Sequence, residues 1–175
     1  HAEVFKELTD SLKTSQVTEV DFSSCGLGPV ALGHLSEWVR EATAAVVAVA
    51  IGANPIGSEG GATLLETIKT SKLKTIDIGK PLPLQEPYGS DTLDLSKTDM
   101  DPGHVLLLSW WLTTEFSAAV ARLSLRGNMI TGSLCDESFG YEWEYDKDLS
   151  GLISLCDALL ALKNPIDLDL SECGL

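Results

Sequence analysis

A chain of 175 residues with 44% hydrophobic content is long enough for one well-buried core, and it is read as a single domain spanning residues 1–175. Its 12 basic against 26 acidic side chains give a formal charge of −14, which repels phosphate backbones and anionic lipid headgroups. Nucleic acid and membrane are excluded as partners on that ground, a basic protein surface is favoured, and no apolar run approaches the roughly 18 residues that span a bilayer.

In chain order, residues 2–13 carry Val4, Phe5, Leu8 and Leu12 at helical spacing with acids on the other face, which predicts a covering helix within 1–16. An eleven-place pattern follows at 17–27: Val17, Val20, Phe22 and Leu27 fill places one, four, six and eleven, and Cys25 fills place nine. It returns at 46–56 (Val46, Val49, Ile51, Asn54, Ile56), at 120–130 (Val120, Leu123, Leu125, Asn128, Ile130) and at 165–175 (Leu168, Leu170, Cys173, Leu175). Each copy predicts a short strand with places four and six turned to a core. The first interval, from 17 to 46, leaves room for a full helix, and Pro29 suits the first turn of one running to about residue 42. A second helix is predicted over 58–69 with Ser58 as its cap and Leu64, Leu65 and Ile68 inward.

Two copies are degenerate. The one from Leu73 keeps Ile76 and Ile78 but has Pro81 and Pro83 at places nine and eleven; the one from Ser90 keeps Leu93, Leu95 and Met100, with Thr98 at place nine. Their starts lie too close for a strand plus a helix, and Pro81, Pro83 and Pro87 forbid helix between them, so an extended return on the helix side is expected. Asp101-Pro102 then reads as a cap and first helical residue. The helix predicted over 103–116 is apolar nearly all round, which implies burial on more than one face, with Trp110 or Trp111 packed on the irregular stretch, or else an exposed patch. An insertion at 136–148 alternates Phe139, Tyr141, Trp143 and Tyr145 with Gly140, Glu142, Glu144 and Asp146, placing aromatics and carboxylates on opposite faces of an extended segment. A helix over 149–162 and a last strand complete the chain.

With the pattern L-x-x-L-x-L-x-x-N/C-x-L and a 29-residue interval between its first copies (46 − 17), the chain resembles the ribonuclease-inhibitor-type leucine-rich repeats. That resemblance implies an α/β fold: a right-handed solenoid, a horseshoe segment of about six rungs starting near 17, 46, 73, 90, 120 and 165, with a concave parallel sheet and convex helices. It also implies that places three and five line the concave face. Place three then holds Glu19, Ala48, Thr75, Thr92, Arg122 and Asp167, and place five holds Asp21, Ala50, Asp77, Asp94, Ser124 and Asp169. Asp77 and Asp94 on adjacent rungs about 4.8 Å apart would repel by about 0.9 kcal/mol in bulk water, with Lys80 and Lys97 placed to offset them. The acidic column is open to two readings, a docking site for a partner's cations or a face kept soluble; Arg122 and Arg126 interrupt it, adding specificity or merely solubility.

No zinc-ligand spacing, phosphate loop or nucleophile elbow occurs, so no enzyme activity, metal or cofactor is expected. Cys25 and Cys173, at place nine, are read as reduced and buried, which suggests an intracellular, cytoplasmic setting. The function expected is a non-enzymatic protein-protein interaction module. Its contacts would be the sheet residues Asp21, Asp77, Asp94, Arg122, Arg126 and Asp169 and the aromatic insertion, with four of the chain's 11 aromatic residues within 139–145. The alternatives are an insertion that folds down as a flap, a GTPase-activating regulator by analogy with the Ran activators that share the repeat type, and a structural scaffold that self-associates through an uncapped last rung.

Overall fold

The computed structural model describes residues 1–136 and 142–175, with side chains described outside 134–143. Five helices, α1 (Ala2–Leu12), α2 (Pro29–Glu41), α3 (Gly57–Thr70), α4 (Pro102–Leu112) and α5 (Ser150–Ala161), pack side by side in chain order. Against them lie short strands: β1 (Glu19–Asp21), β2 (Ala48–Ala50), β3 (Thr75–Asp77), β4 (Pro81–Pro83), β5 (Thr92–Asp94), β6 (Arg122–Ser124), β7 (Leu134–Asp136), β8 (Glu142–Glu144) and β9 (Asp167–Asp169).

The strands do not form the expected continuous sheet of six rungs. They divide into a four-stranded sheet, β1-β2-β3-β4, a three-stranded sheet, β5-β6-β9, and a hairpin, β7-β8. The first three strands are parallel, with Val20, Val49 and Ile76 in register, and so are β5, β6 and β9, with Leu93, Leu123 and Leu168 in register. What separates the two sheets is β4, which turns back antiparallel to β3 and fills its second edge, pairing Thr75 with Pro83 and Asp77 with Pro81. The proline-rich stretch is extended as expected, but it enters the sheet instead of crossing the helix side.

The prolines also explain why pairing stops there. Leu84 N–H donates to the Lys74 carbonyl at 2.8 Å and Ile78 N–H to that of Lys80 at 3.3 Å, so the even-numbered residues of β4 face β3. Alternation turns Pro81 and Pro83 toward the other edge, where neither has an N–H to offer a further strand. The outward Pro83 carbonyl is instead taken by the indole Nε1–H of Trp111 at 2.8 Å, and the Trp111 ring meets Tyr88 edge to face, 5.7 Å between centroids. Trp111 thus packs on the irregular stretch.

On the helix side nothing intervenes between α3 and α4. A side chain on Gly103 would overlap the Gly57 carbonyl oxygen, and one on Gly61 would come within 2.6 Å of the Gly103 oxygen. Gly79 is required twice over, by a φ of +122° and by the Thr98 side chain 2.7 Å from where its Cβ would stand. Flanked by α3 and α5, α4 buries most of its length and leaves only Leu106 and Trp110 half-exposed, which accounts for its uniform apolarity. It ends at Leu112, and a single 3-10 turn (Glu115–Ser117) replaces the rest of the helix predicted to 116.

Inside the turns, Asn54 and Asn128 act as buried connectors. The Asn54 Oδ1 accepts from the Cys25 and Leu27 amides, both at 3.0 Å, while its Nδ2 donates to the Phe22, Ile51 and Gly52 carbonyls. Asn128 repeats this, accepting from Thr98 and Met100 and donating to Leu95 and Leu125. Cys173 is buried with its thiol donating to the Leu125 carbonyl at 3.1 Å, but Cys25 is exposed, since among the described residues no strand lies beyond β1 to cover it. At the first helix, Phe5, Thr9 and Leu12 face inward while Val4 is 70% and Leu8 44% exposed. The apolar stripe of α1 is wider than the face it buries.

Candidate functional site

Places three and five of β1, β2, β3, β5, β6 and β9 alternate with the core-facing place four, and none of them is buried. The aspartates at place five are each fixed by the turn that follows: Oδ1 accepts the backbone N–H two residues on, from Ser23 to Asp21 at 2.9 Å, Gly79 to Asp77 at 2.8 Å, Ser96 to Asp94 at 2.9 Å and Ser171 to Asp169 at 3.0 Å. The Ser96 and Ser171 hydroxyls donate to the same oxygens at 2.6 Å. These short bonds favour the charged carboxylate, so the pKa values of Asp21, Asp94 and Asp169 lie below the ordinary aspartate value. An aspartate ending a strand is therefore a local turn device as well as a surface charge.

The column differs from expectation in its neighbours. Asp77 does not lie against Asp94, because β3 is flanked by β2 and β4; its cross-strand partners are Ala50 and Pro81, and Asp94 faces Ser124. Lys80 does help hold the Asp94 carboxylate charged, whereas Lys97 acts on Glu172. Across both sheets no two acids stand directly opposite on paired strands: Glu19 and Asp21 face Ala48 and Ala50, and Asp167 and Asp169 face Arg122 and Ser124.

Both arginines are already paired. Arg122 reaches back to Asp91 through Nη2 at 2.7 Å and to the Thr92 hydroxyl through Nε at 3.0 Å, and Arg126 Nη2 binds Glu172 at 2.6 Å. Both acids they bind, Asp91 and Glu172, lie just outside the strands of the second sheet. Above that sheet a shallow depression is lined by Thr92, Asp94, Arg122, Ser124, Asp167 and Asp169.

Of the insertion, Phe139 and Tyr141 lie outside the described residues. Trp143 is at the middle of β8, where its backbone pairs with Cys135, and Glu142 and Glu144 flank it in the extended conformation expected. Tyr145 is 60% exposed, and the nearby Lys147 pairs with Glu144.

The most elaborate polar cluster was not anticipated. Asp101 caps α4, accepting from the Gly103 and His104 amides through Oδ1 and, across the helix pair, from the Gly57 amide of α3 through Oδ2 at 2.7 Å. Against it lies the fully buried His104, with Nδ1 2.9 Å from Asp101 Oδ1 and Nε2 donating to the Ile51 carbonyl at 3.0 Å. Burial disfavours the Asp101 carboxylate, yet its bond to His104, that residue's charge, and the Gly57 and His104 amides together hold its pKa below the ordinary value. Asp101-Pro102 signals the cap in sequence; nothing local shows that the same carboxylate reaches α3. This cluster binds helix ends.

No protein-family model matches the chain, and no curated protein matches it. Among the described residues, no three His, Cys, Asp or Glu side chains gather in a way that could hold a metal ion, and no helix is long and apolar enough to cross a membrane.

Proposed function

We propose that this chain is a protein-binding module that offers the acid-rich open face of its two sheets to a basic protein surface, with the 136–148 segment as a second contact. The observation that carries this reading is the division of charge on that face. Arg122 and Arg126 are spent on Asp91 and Glu172, so the carboxylates of Asp21, Asp77, Asp94 and Asp169 have no cation paired with them at salt-bridge distance among the described residues. Each is held by its own turn, so a partner's lysine or arginine would meet a preorganised carboxylate and less side-chain freedom would be lost on binding. The likeness of the four full pattern copies to ribonuclease-inhibitor-type repeats supports a binding role too, since such proteins share a scaffold and differ in what they bind.

Asparagine tests this cleanly, because its Oδ1 still accepts the turn amide while the charge is gone. In a triple Asp21→Asn, Asp77→Asn, Asp94→Asn chain, capture of basic proteins by the immobilised module should fall by about tenfold or more with the thermal midpoint little changed. Deleting 136–148 in parallel assigns the share of the insertion. Undiminished capture by both variants would end the proposal.

A further inference from the structure

Beyond the open face, the molecule has a second surface whose chemistry can be read, at the outer edge of β1. Val20 at place four and Phe22 at place six are half-exposed, although the residues at the same places in β2, β3, β5 and β6 are fully buried. Beside this edge an apolar groove is lined by Val4, Phe5, Leu8, Phe22, Leu27 and Val30, with Val4 and the 64% exposed Val30 at its rim. Phe22 and Ser24 direct their N–H groups to the Ala50 and Gly52 carbonyls. Alternation therefore turns the N–H groups of Glu19 and Asp21 outward, along an edge that has no paired strand among the described residues.

We propose that this edge and groove dock an extended segment of a separate protein, bearing basic or uncharged side chains opposite Glu19 and Asp21 and aliphatic side chains that enter the groove. Main-chain bonds to the Glu19 and Asp21 amides hold the segment, as in other additions of a strand to a sheet edge, and the side chains select it. The charge rule comes from the parallel strands: at each of their paired positions an acid faces alanine, serine or arginine and never another acid. The same rule excludes a second copy joined through β9, which in this register sets Asp167 against Glu19 and Asp169 against Asp21. Arg122 and Ser124 show what fits, since those two side chains already sit beside Asp167 and Asp169.

The test uses the whole chain and a synthetic peptide of residues 119–131, which carries Arg122 and Ser124 at the two selective places and apolar residues after them. Amide hydrogen exchange at Glu19 and Asp21 should be fast in the chain alone and slow by about tenfold or more on adding the peptide. A peptide with Arg122→Asp and Ser124→Asp should bind at least about tenfold more weakly. A Val4→Ser, Val30→Ser chain, altered only at exposed positions, should keep its fold and lose affinity. An Asp77→Asn, Asp94→Asn chain, with Asp21 intact, should bind the peptide as tightly as the parent, which separates this surface from the open face. No slowing at saturating peptide, equal binding of the acidic peptide, or full affinity in the Val4→Ser, Val30→Ser chain would each overturn the proposal.

Discussion

The His104 imidazole donates from Nε2 to the Ile51 carbonyl at 3.0 Å while its other nitrogen lies 2.9 Å from Asp101 Oδ1, so one buried ring ties the turn after β2 to the start of α4. The tie exists because α4 stands directly against α3. His104→Ala leaves a buried carbonyl and a largely buried carboxylate without their partner, and the expected loss is about 2–4 kcal/mol in urea unfolding. The sign with pH is definite. A carboxyl whose folded pKa is lowered stabilises the fold above its unfolded value of 3.8 and ceases to do so as pH falls through the folded one. Without His104 only burial and the amides remain, so the deficit of the variant should be full above pH 3.8 and narrow as pH falls below it. A deficit that does not vary with pH would mean that the ring acts by packing alone.

Two glycines one helix apart should respond in opposite directions. Gly103 has no room for a Cβ, which would overlap the Gly57 carbonyl, so Gly103→Ala must push α3 and α4 apart at a cost of about 2 kcal/mol or more. Gly33 lies inside α2 with nothing within 4 Å of its would-be Cβ. Gly33→Ala should therefore raise stability by about 0.5–1 kcal/mol through helix propensity. Thermal melts of the pair decide it, and destabilisation by both would show that the helix layer packs otherwise than described.

Much of this was legible in the chain, for physical reasons that also mark its limit. Places four and six predict every strand that pairs in parallel, since two-residue alternation is a local property of one segment. Asp101-Pro102 likewise marks the start of α4. The division into two sheets was not legible, because it depends on which edge of β4 the nitrogens of Pro81 and Pro83 face, and that is fixed only once β4 has paired with β3. Arg122 and Arg126 lie on the open side as expected, but sequence cannot show that Asp91 and Glu172 are already theirs. The groove by α1 had a signal in Val4, Leu8 and Val30, three apolar side chains more than the neighbouring helix covers.

Asn54 makes a different kind of test, since its two amide ends do different work. Replacing it with alanine frees two buried donors and three acceptors and should cost about 3 kcal/mol or more. Asn54→Asp keeps the acceptor for Cys25 and Leu27 but turns an oxygen toward the Phe22, Ile51 and Gly52 carbonyls. At pH 7 it should be at least as damaging as alanine and should recover in part as acid protonates it. An Asn54→Asp chain as stable as the parent at neutral pH would contradict the bonding described.

Ser36 is buried in α2 with a hydroxyl that has no hydrogen-bond partner among the described residues. An unpartnered buried hydroxyl costs desolvation and returns nothing, and alanine is the better helix former. Ser36→Ala should accordingly leave the stability unchanged or raise it by up to about 1 kcal/mol. A clear loss in chemical denaturation would reveal a bond that the structure does not contain.

The seam between α1 and α2 should be the part of the molecule that acid loosens. Lys13 binds Asp10 at 3.0 Å, Glu37 at 2.8 Å and Glu41 at 3.2 Å, and Lys6 binds Asp10 at 2.6 Å. Hydrogen bonds from Lys6 and then Lys13 lower the Asp10 pKa from 3.8 to about 2, and the bond from Lys13 lowers that of Glu37. Lowered carboxylates stabilise the docked helix above their unfolded values and lose that contribution as pH falls toward 2, so the amide protons of α1 should become less protected over that window before those of α3 and α4 do. These groups are exposed, so the effect should shrink in high salt. Lys13→Gln removes the central cation, leaves three acids together, and should move the Asp10 midpoint, followed by its side-chain carbon shift, upward from about 2 toward 3.8. An Asp10 that titrates at the same point in both chains would show that Lys6 alone holds it and that α1 is joined to α2 by Phe5 and its apolar neighbours only.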